Sequence, residues 1–140
     1  MGRMDGRCIV IVDDDDLVRE GIAMTLEVAG HRVRSTGSGH DALRWLDEAP
    51  CDLLIVDINM PEMDGPQLYR RVLARWRASA PRALFVSGAD EMGPRERDPD
   101  VLAVPRLIKP FSIGALLAAV DQALEPAGHV GEAGGRYPIG

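Results

Sequence analysis

Four short apolar runs punctuate the chain, and each stops at a polar residue. They are Cys8-Ile9-Val10-Ile11-Val12 before Asp13, Leu53-Leu54-Ile55-Val56 before Asp57, Ala83-Leu84-Phe85-Val86 before Ser87, and Arg106-Leu107-Ile108 before Lys109. Uninterrupted runs of this length predict strands covered on both faces. A more polar run, His31 to Thr36, predicts a further strand at a sheet edge. Between the runs the period becomes helical. Val18, Ile22, Leu26 and Ala29 recur before the stop at Gly30. Ala42, Leu43 and Leu46 follow Gly39, and Leu68, Val72 and Trp76 follow Pro66, a residue well placed in a first helical turn. Ile113, Leu116, Leu117, Val120 and Leu124 draw a last amphipathic helix, with Ser112 as its N-cap. The segment from Asp90 to Asp100 contains Gly93, Pro94 and Pro99 and no apolar stripe, so a loop or one helical turn is expected there instead of a full helix.

Strands alternating with helices at this spacing predict an α/β fold, a parallel sheet with helices on both faces. The 140 residues suffice for one domain with one core, here residues 1–126. The remaining 127–140 hold Gly128, Gly131, Gly134, Gly135 and Gly140 with little to bury, and are expected to be disordered. Sixteen basic against twenty-two acidic residues give a net charge of -6, which repels a phosphate backbone, so no nucleic-acid partner is expected. There is no apolar stretch of the roughly 18 residues a membrane span needs, and Met1 to Cys8 lacks a signal-peptide core, so the expectation is a cytoplasmic protein without membrane contact. Cys8 and Cys51 are too few and too badly spaced for a zinc site. They are expected to be structural thiols at the amino-terminal ends of neighbouring strands, close enough to oxidise in air.

In an open parallel sheet, ligands bind beyond the carboxyl ends of the strands. Asp13 and Asp14 fall there after the first strand, with Asp57, Ser87 and Lys109 at the ends of three others. Carboxylates about 5 Å apart repel by roughly 3 kcal/mol per pair at an effective dielectric near 20. Either one of them keeps a proton or a hard dication sits among them, and Mg²⁺ suits carboxylates supplemented by water and phosphate oxygens. An ionised carboxylate attacks phosphorus without a general base. What the reaction then needs is neutralisation of the phosphoryl oxygens, which a metal, an ammonium and a hydroxyl supply. Asp15 and Asp16 are explained by the start of the first helix. His31, His40 and His129 show no metal spacing, and Trp45 and Trp76 fit helix packing.

Val12-Asp13-Asp14-Asp15, the segment from Asp57 to Gly65 (Asp57-Ile58-Asn59-Met60-Pro61-Glu62-Met63-Asp64-Gly65) and Lys109-Pro110-Phe111, in this order with Ser87 between the last two, resemble the receiver domains of two-component response regulators over about residues 7 to 125. The resemblance implies a flavodoxin-like, doubly wound five-stranded parallel sheet of order 2-1-3-4-5, here with a shortened or missing fourth helix. It implies Mg²⁺-dependent phosphorylation of Asp57 by a phosphohistidine on a histidine kinase or histidine phosphotransfer protein. Asp14 and Asp57 would ligate the metal directly, Asp13 mainly through water, and Asn59 through its backbone carbonyl. Lys109 would pair with the phosphoryl oxygens, Ser87 would hydrogen-bond one of them, and the Lys109-Pro110 bond would be cis.

Two departures stand out. Arg106 occupies the place where the family usually carries an aromatic switch residue, and the region before Pro105 is shortened, similar to receivers attached to hybrid sensor kinases; separately, Ala89 to Val104 is expected to be mobile and to be ordered by phosphorylation. With no effector domain after residue 126, output is expected through contact with a protein target in trans, or through onward phosphotransfer. Two other functions compete. One is a small aspartyl-phosphate hydrolase resembling the haloacid-dehalogenase phosphatases, using Asp13 and Asp15, for which only Asp121 and Glu125 remain as a downstream acidic motif. The other is a pseudo-receiver, an interaction module without phosphorylation.

Overall fold

The computed structural model describes residues 6–88 and 96–125. The tail expected to be disordered lies outside them, as does 89–95 of the segment expected to be mobile. Five strands form one parallel sheet in the order β2-β1-β3-β4-β5: β1 (Cys8–Val12), β2 (Arg32–Thr36), β3 (Leu53–Asp57), β4 (Arg82–Ser87) and β5 (Arg106–Ile108). The order reverses between β1 and β3, which opens a crevice beyond their carboxyl ends. β2 takes the edge, as its polarity requires, alternating exposed arginines with half-buried Val33 and Ser35.

Because successive strand residues point to opposite faces, each apolar run feeds two cores. Ile9, Ile11, Leu53, Ile55, Leu84 and Val86 pack with Ile22 and Leu26 of α1 (Asp16–Val28) and Leu116 and Val120 of α5 (Ile113–Leu124). Val10, Val12, Leu54, Val56 and Phe85 pack with Ala42 and Leu46 of α2 (Gly39–Glu48) and Leu68 and Val72 of α3 (Gly65–Trp76). A single 3-10 turn, Arg77–Ser79, follows α3.

Two stripe members are exposed. Ile113 is 65% exposed, because it opens α5 beyond the rim of the sheet, and Ala29 is exposed as the residue that caps α1. The fourth helix is one turn, α4 (Pro99–Leu102), capped by Asp98 and anchored by buried Val101 and Val104. Arg70 of α3 reaches across to this segment, donating to both carboxylate oxygens of Glu96 (2.8 and 2.6 Å) and to Asp98 (3.1 Å). Trp45 and Trp76 lie half-buried against the α2/α3 core, each with an arginine over its ring. Among the described residues, no helix is long and apolar enough to cross a membrane.

Candidate functional site

The four consecutive aspartates divide into separate tasks. Asp13 continues the β1 ladder by one residue, its amide donating to the Thr36 carbonyl at 3.0 Å, and its side chain turns inward. Asp14 is exposed at the crevice. Asp15 caps α1, accepting from the amides of Leu17 and Val18, and its own amide donates to Asp13 Oδ1 at 2.9 Å. Asp16 pairs with Arg19 at 2.6 Å. Arg19 also donates to the Asp13 carbonyl at 2.9 Å and so clamps the turn from below.

Asp57 ends β3 and is 5% exposed. Its backbone is fixed from two sides. The next amide, of Ile58, donates to the Val86 carbonyl, and Gly65 donates to the Ile58 carbonyl, both at 3.0 Å. Gly65 is needed for this approach, since a Cβ there would stand 2.8 Å from the Asp57 carbonyl oxygen and 3.0 Å from Ile58 Cα. A reciprocal capping box between Asp64 and Gln67 starts α3 at that point. The Asn59 amide lies 3.3 Å from Asp57 Oδ1, and the Asn59 side chain faces solvent.

Ser87 ends β4 fully buried, and among the described residues its Oγ has no hydrogen-bond partner. Lys109 follows β5, its amide donating to the Ser87 carbonyl at 2.8 Å, and the Lys109-Pro110 bond is cis. The Lys109 ammonium reaches 3.7 Å from Asp13 Oδ2 and 3.8 Å from Asp57 Oδ1. Residues from four strand ends therefore meet over one crevice.

The electrostatics are unbalanced toward negative charge. Carboxylate oxygens of Asp13, Asp14 and Asp57 lie within 4.8 Å of one another. Burial, the largest influence, holds the Asp13 carboxyl above its ordinary value of 3.8, and the charges of Asp14 and Asp15 push the same way. The Asp15 amide and Lys109 only partly oppose this. Among the described residues Asp13 Oδ2 is buried without a hydrogen bond. Buried oxygens normally find hydrogen-bond partners, so a carboxylate oxygen met only by an ammonium at 3.7 Å and a hydroxyl without a hydrogen bond describe a receptor for something else. Three hard oxygen donors fit a small divalent cation, and the cluster could hold one.

All six residues singled out from sequence, Asp13, Asp14, Asp57, Asn59, Ser87 and Lys109, gather here. Arg19 and Gly65 did not stand out as site residues. For Arg19 the available signal was its i,i+3 spacing from Asp16; for Gly65 nothing local distinguishes it from a helix-start glycine. Arg106 is exposed, opposite Phe85 in the register. The aromatic pair on this side of the sheet is Phe85 with Tyr69 of α3, edge-to-face with centroids 6.1 Å apart. Burial, with Asp100 nearby, pushes the Tyr69 phenol above its ordinary value.

The chain matches the family model of the response regulator receiver domain over residues 9–121. It is similar to sensor kinase CckA of Brucella abortus, 35% identical over 121 residues covering 84% of this chain and 12% of that protein. It is also similar to transcriptional regulatory protein GltR of Pseudomonas aeruginosa, 32% identical over 123 residues covering 88% of this chain and 51% of that one. The chain thus spans about half or less of these two curated relatives. Among solved structures it is similar to chemotaxis protein CheY4 of Vibrio cholerae, with a TM-score of 0.72 and 27% identity, covering 85% of this chain and 99% of that one.

Proposed function

Because the chain belongs to the response regulator receiver domain family of two-component signalling, we propose that it is the phosphoryl-accepting element of a phosphorelay and that Asp57 is its acceptor. The observation that carries this reading is the convergence of the Lys109 ammonium on Asp13 and Asp57 beside the unpartnered Ser87 hydroxyl.

An Asp57 carboxylate oxygen forms the new bond to phosphorus while the phosphorus–nitrogen bond of a phosphohistidine donor breaks, its electron pair returning to the imidazole. The donor is a histidine kinase or a histidine phosphotransfer protein. Lys109, already within 4 Å of both carboxylates, follows the negative charge onto the incoming phosphoryl oxygens. Ser87 Oγ–H donates to one of those oxygens and so gains the partner it lacks. Asp13, Asp14, Asp57 and the Asn59 carbonyl would hold Mg²⁺, which when bound offsets the crowded negative charge. The phosphorylated crevice then signals through a protein contact.

Two details weigh against the competitors. Asp15, which a hydrolase would aim at the substrate, is occupied as the α1 cap, and Asp121 lies in the last turn of α5. A pseudo-receiver has no need of this convergence. Incubation with acetyl phosphate and Mg²⁺ followed by intact-mass measurement tests the reading. The expected result is one added phosphoryl group, absent without Mg²⁺ and absent in Asp57→Asn. No addition under any condition would favour the pseudo-receiver, and steady turnover of a phosphate monoester would favour the hydrolase.

A further inference from the structure

The end of the sheet opposite Asp57 carries chemistry that phosphoryl transfer does not use. Cys8 opens β1 and Cys51 lies just before β3, both half-buried and both reduced. Alternation places Cys8 on the same sheet face as Val10, and Cys51 packs against the cluster containing Val10 and Leu54. The residue after Cys51, Asp52, is locked beside Cys8. The Asp52 amide donates to the Cys8 carbonyl at 2.9 Å, and the Cys8 amide donates to Asp52 Oδ2 at 2.8 Å. Cys51 Sγ stands 3.6 Å from that same Cys8 carbonyl oxygen. Strands about 4.8 Å apart, with a one-residue offset of about 3.3 Å, give a Cα separation near 6 Å, inside the roughly 4.4–6.8 Å that a disulfide spans.

The two thiols differ in surroundings. Arg32, the register partner of Cys8 on β2, donates from Nη2 to Cys8 Sγ at 3.1 Å. A guanidinium there stabilises the negative charge that an attacking sulfur carries. Cys51 Sγ donates to the Leu53 carbonyl at 3.1 Å, and its partners among the described residues are carbonyl oxygens. Burial pushes the Cys51 thiol up to about 11, so it stays protonated at neutral pH. A cavity of about 260 Å³, lined by Leu46, Pro50, Trp76 and Pro81, opens onto Cys51 from solvent.

We propose that Cys8 and Cys51 form a reversible dithiol–disulfide couple responsive to hydroperoxides, with Cys8 as the attacking thiol and Cys51 as the resolving one. Cys8 sulfur attacks the distal peroxide oxygen, the O–O bond breaks, and the alcohol (or water, from hydrogen peroxide) leaves with the thiol proton, giving a sulfenic acid. Cys51 sulfur then attacks that sulfur, the S–O bond breaks, and the hydroxyl leaves with the Cys51 proton as water. Two thiols lose two electrons and the peroxide gains them. The product ties the start of β1 to the start of β3, and dithiothreitol reverses it. None of this involves Asp57.

The test treats the full chain with hydrogen peroxide and follows intact mass, peptide mapping and dimedone labelling. Wild type is expected to lose two hydrogens, yield a Cys8–Cys51 cross-link within one chain, and recover its mass with dithiothreitol. Asp57→Asn is expected to do the same, which separates this couple from the phosphoryl chemistry. Cys51→Ser is expected to accumulate a dimedone adduct at Cys8, and Cys8→Ser to show none at Cys51. Arg32→Gln, which keeps both thiols, is expected to oxidise roughly threefold to tenfold more slowly. Cross-links only between chains, an adduct at Cys51 forming as fast in Cys8→Ser, or an unchanged rate in Arg32→Gln would each overturn the proposal.

Discussion

Gly65 offers the sharpest test of how the loop after β3 holds Asp57. Adding one methyl group in Gly65→Ala places a carbon 2.8 Å from the Asp57 carbonyl oxygen and 3.0 Å from Ile58 Cα, where ordinary contacts begin at 3.4 Å. Both obstructing atoms are backbone, so no side chain can turn aside, and the start of α3 has to move. Overpacking of this kind costs about 1–3 kcal/mol. Alanine's helix preference returns at most about 1 kcal/mol, and less in a first turn. The net loss is therefore about 1–2 kcal/mol, a fall in melting temperature of roughly 4–8 °C for a domain of this size. The same substitution at Gly21, exposed on α1 with nothing within 4 Å of the added carbon, supplies the control. There the helix gains about 0.5–1 kcal/mol and should melt roughly 2–4 °C higher. Thermal denaturation followed by circular dichroism reads both shifts, and intact mass after acetyl phosphate treatment reads the displaced acceptor as slower phosphorylation of Gly65→Ala alone. Equal shifts for the two variants, or a more stable Gly65→Ala, would refute the reasoning.

The site makes further predictions of opposite sign for stability and function. Asp13 has its carboxyl raised in the folded state, so the folded protein binds this proton more tightly than the unfolded chain, and stability falls as pH rises from about its ordinary value of 3.8 through the folded value. Asp13→Asn should flatten that part of the pH profile in chelator-treated protein, measured by urea unfolding, while weakening Mg²⁺ binding in calorimetry; superimposable pH profiles would show that the buried charge is not the cause. Ser87→Ala removes a buried hydroxyl that has no hydrogen-bond partner among the described residues, so unfolding free energy should stay level or rise by up to about 1 kcal/mol while phosphorylation slows. A clear loss of stability in urea melts would mean the hydroxyl is already satisfied. Arg70→Gln breaks the links to Glu96 and Asp98 and should speed amide exchange at Val101 to Val104 by about fivefold, a loss of about 1 kcal/mol of local stability. Unchanged exchange would show that apolar anchoring alone holds α4.

The strand ends were legible in the sequence because a buried parallel strand leaves little choice of residue: an apolar run that breaks at Asp13, Asp57, Ser87 or Lys109 marks both the end of the element and the crevice. The fourth helix was legible as a loop or a single turn, and it is the single turn that forms, because Pro99 starts a helix readily and no stripe follows to extend one. Periodicity said less about ends, as Ile113 and Ala29 show, since it records which side of a helix faces inward and not where the neighbouring layer stops. Contacts made through space left no local trace. The Cβ clearance at Gly65 depends on a carbonyl eight residues away, and the reach of Arg70 to Glu96 spans 26 residues. Arg106, singled out as a departure, is exposed on β5 at the edge of the sheet.

That edge position has a practical corollary. β5 is three residues long, has a neighbour on one flank only, and delivers the ammonium that completes the crevice. Edges of this kind open more readily than the centre of a sheet. Once it peels away, β1 and β3 still present their carboxylates, yet the group that tolerates them together has gone. The proposed competence to accept a phosphoryl group is thus more fragile than the fold, and warming or mild denaturant should extinguish it while most of the chain is still native.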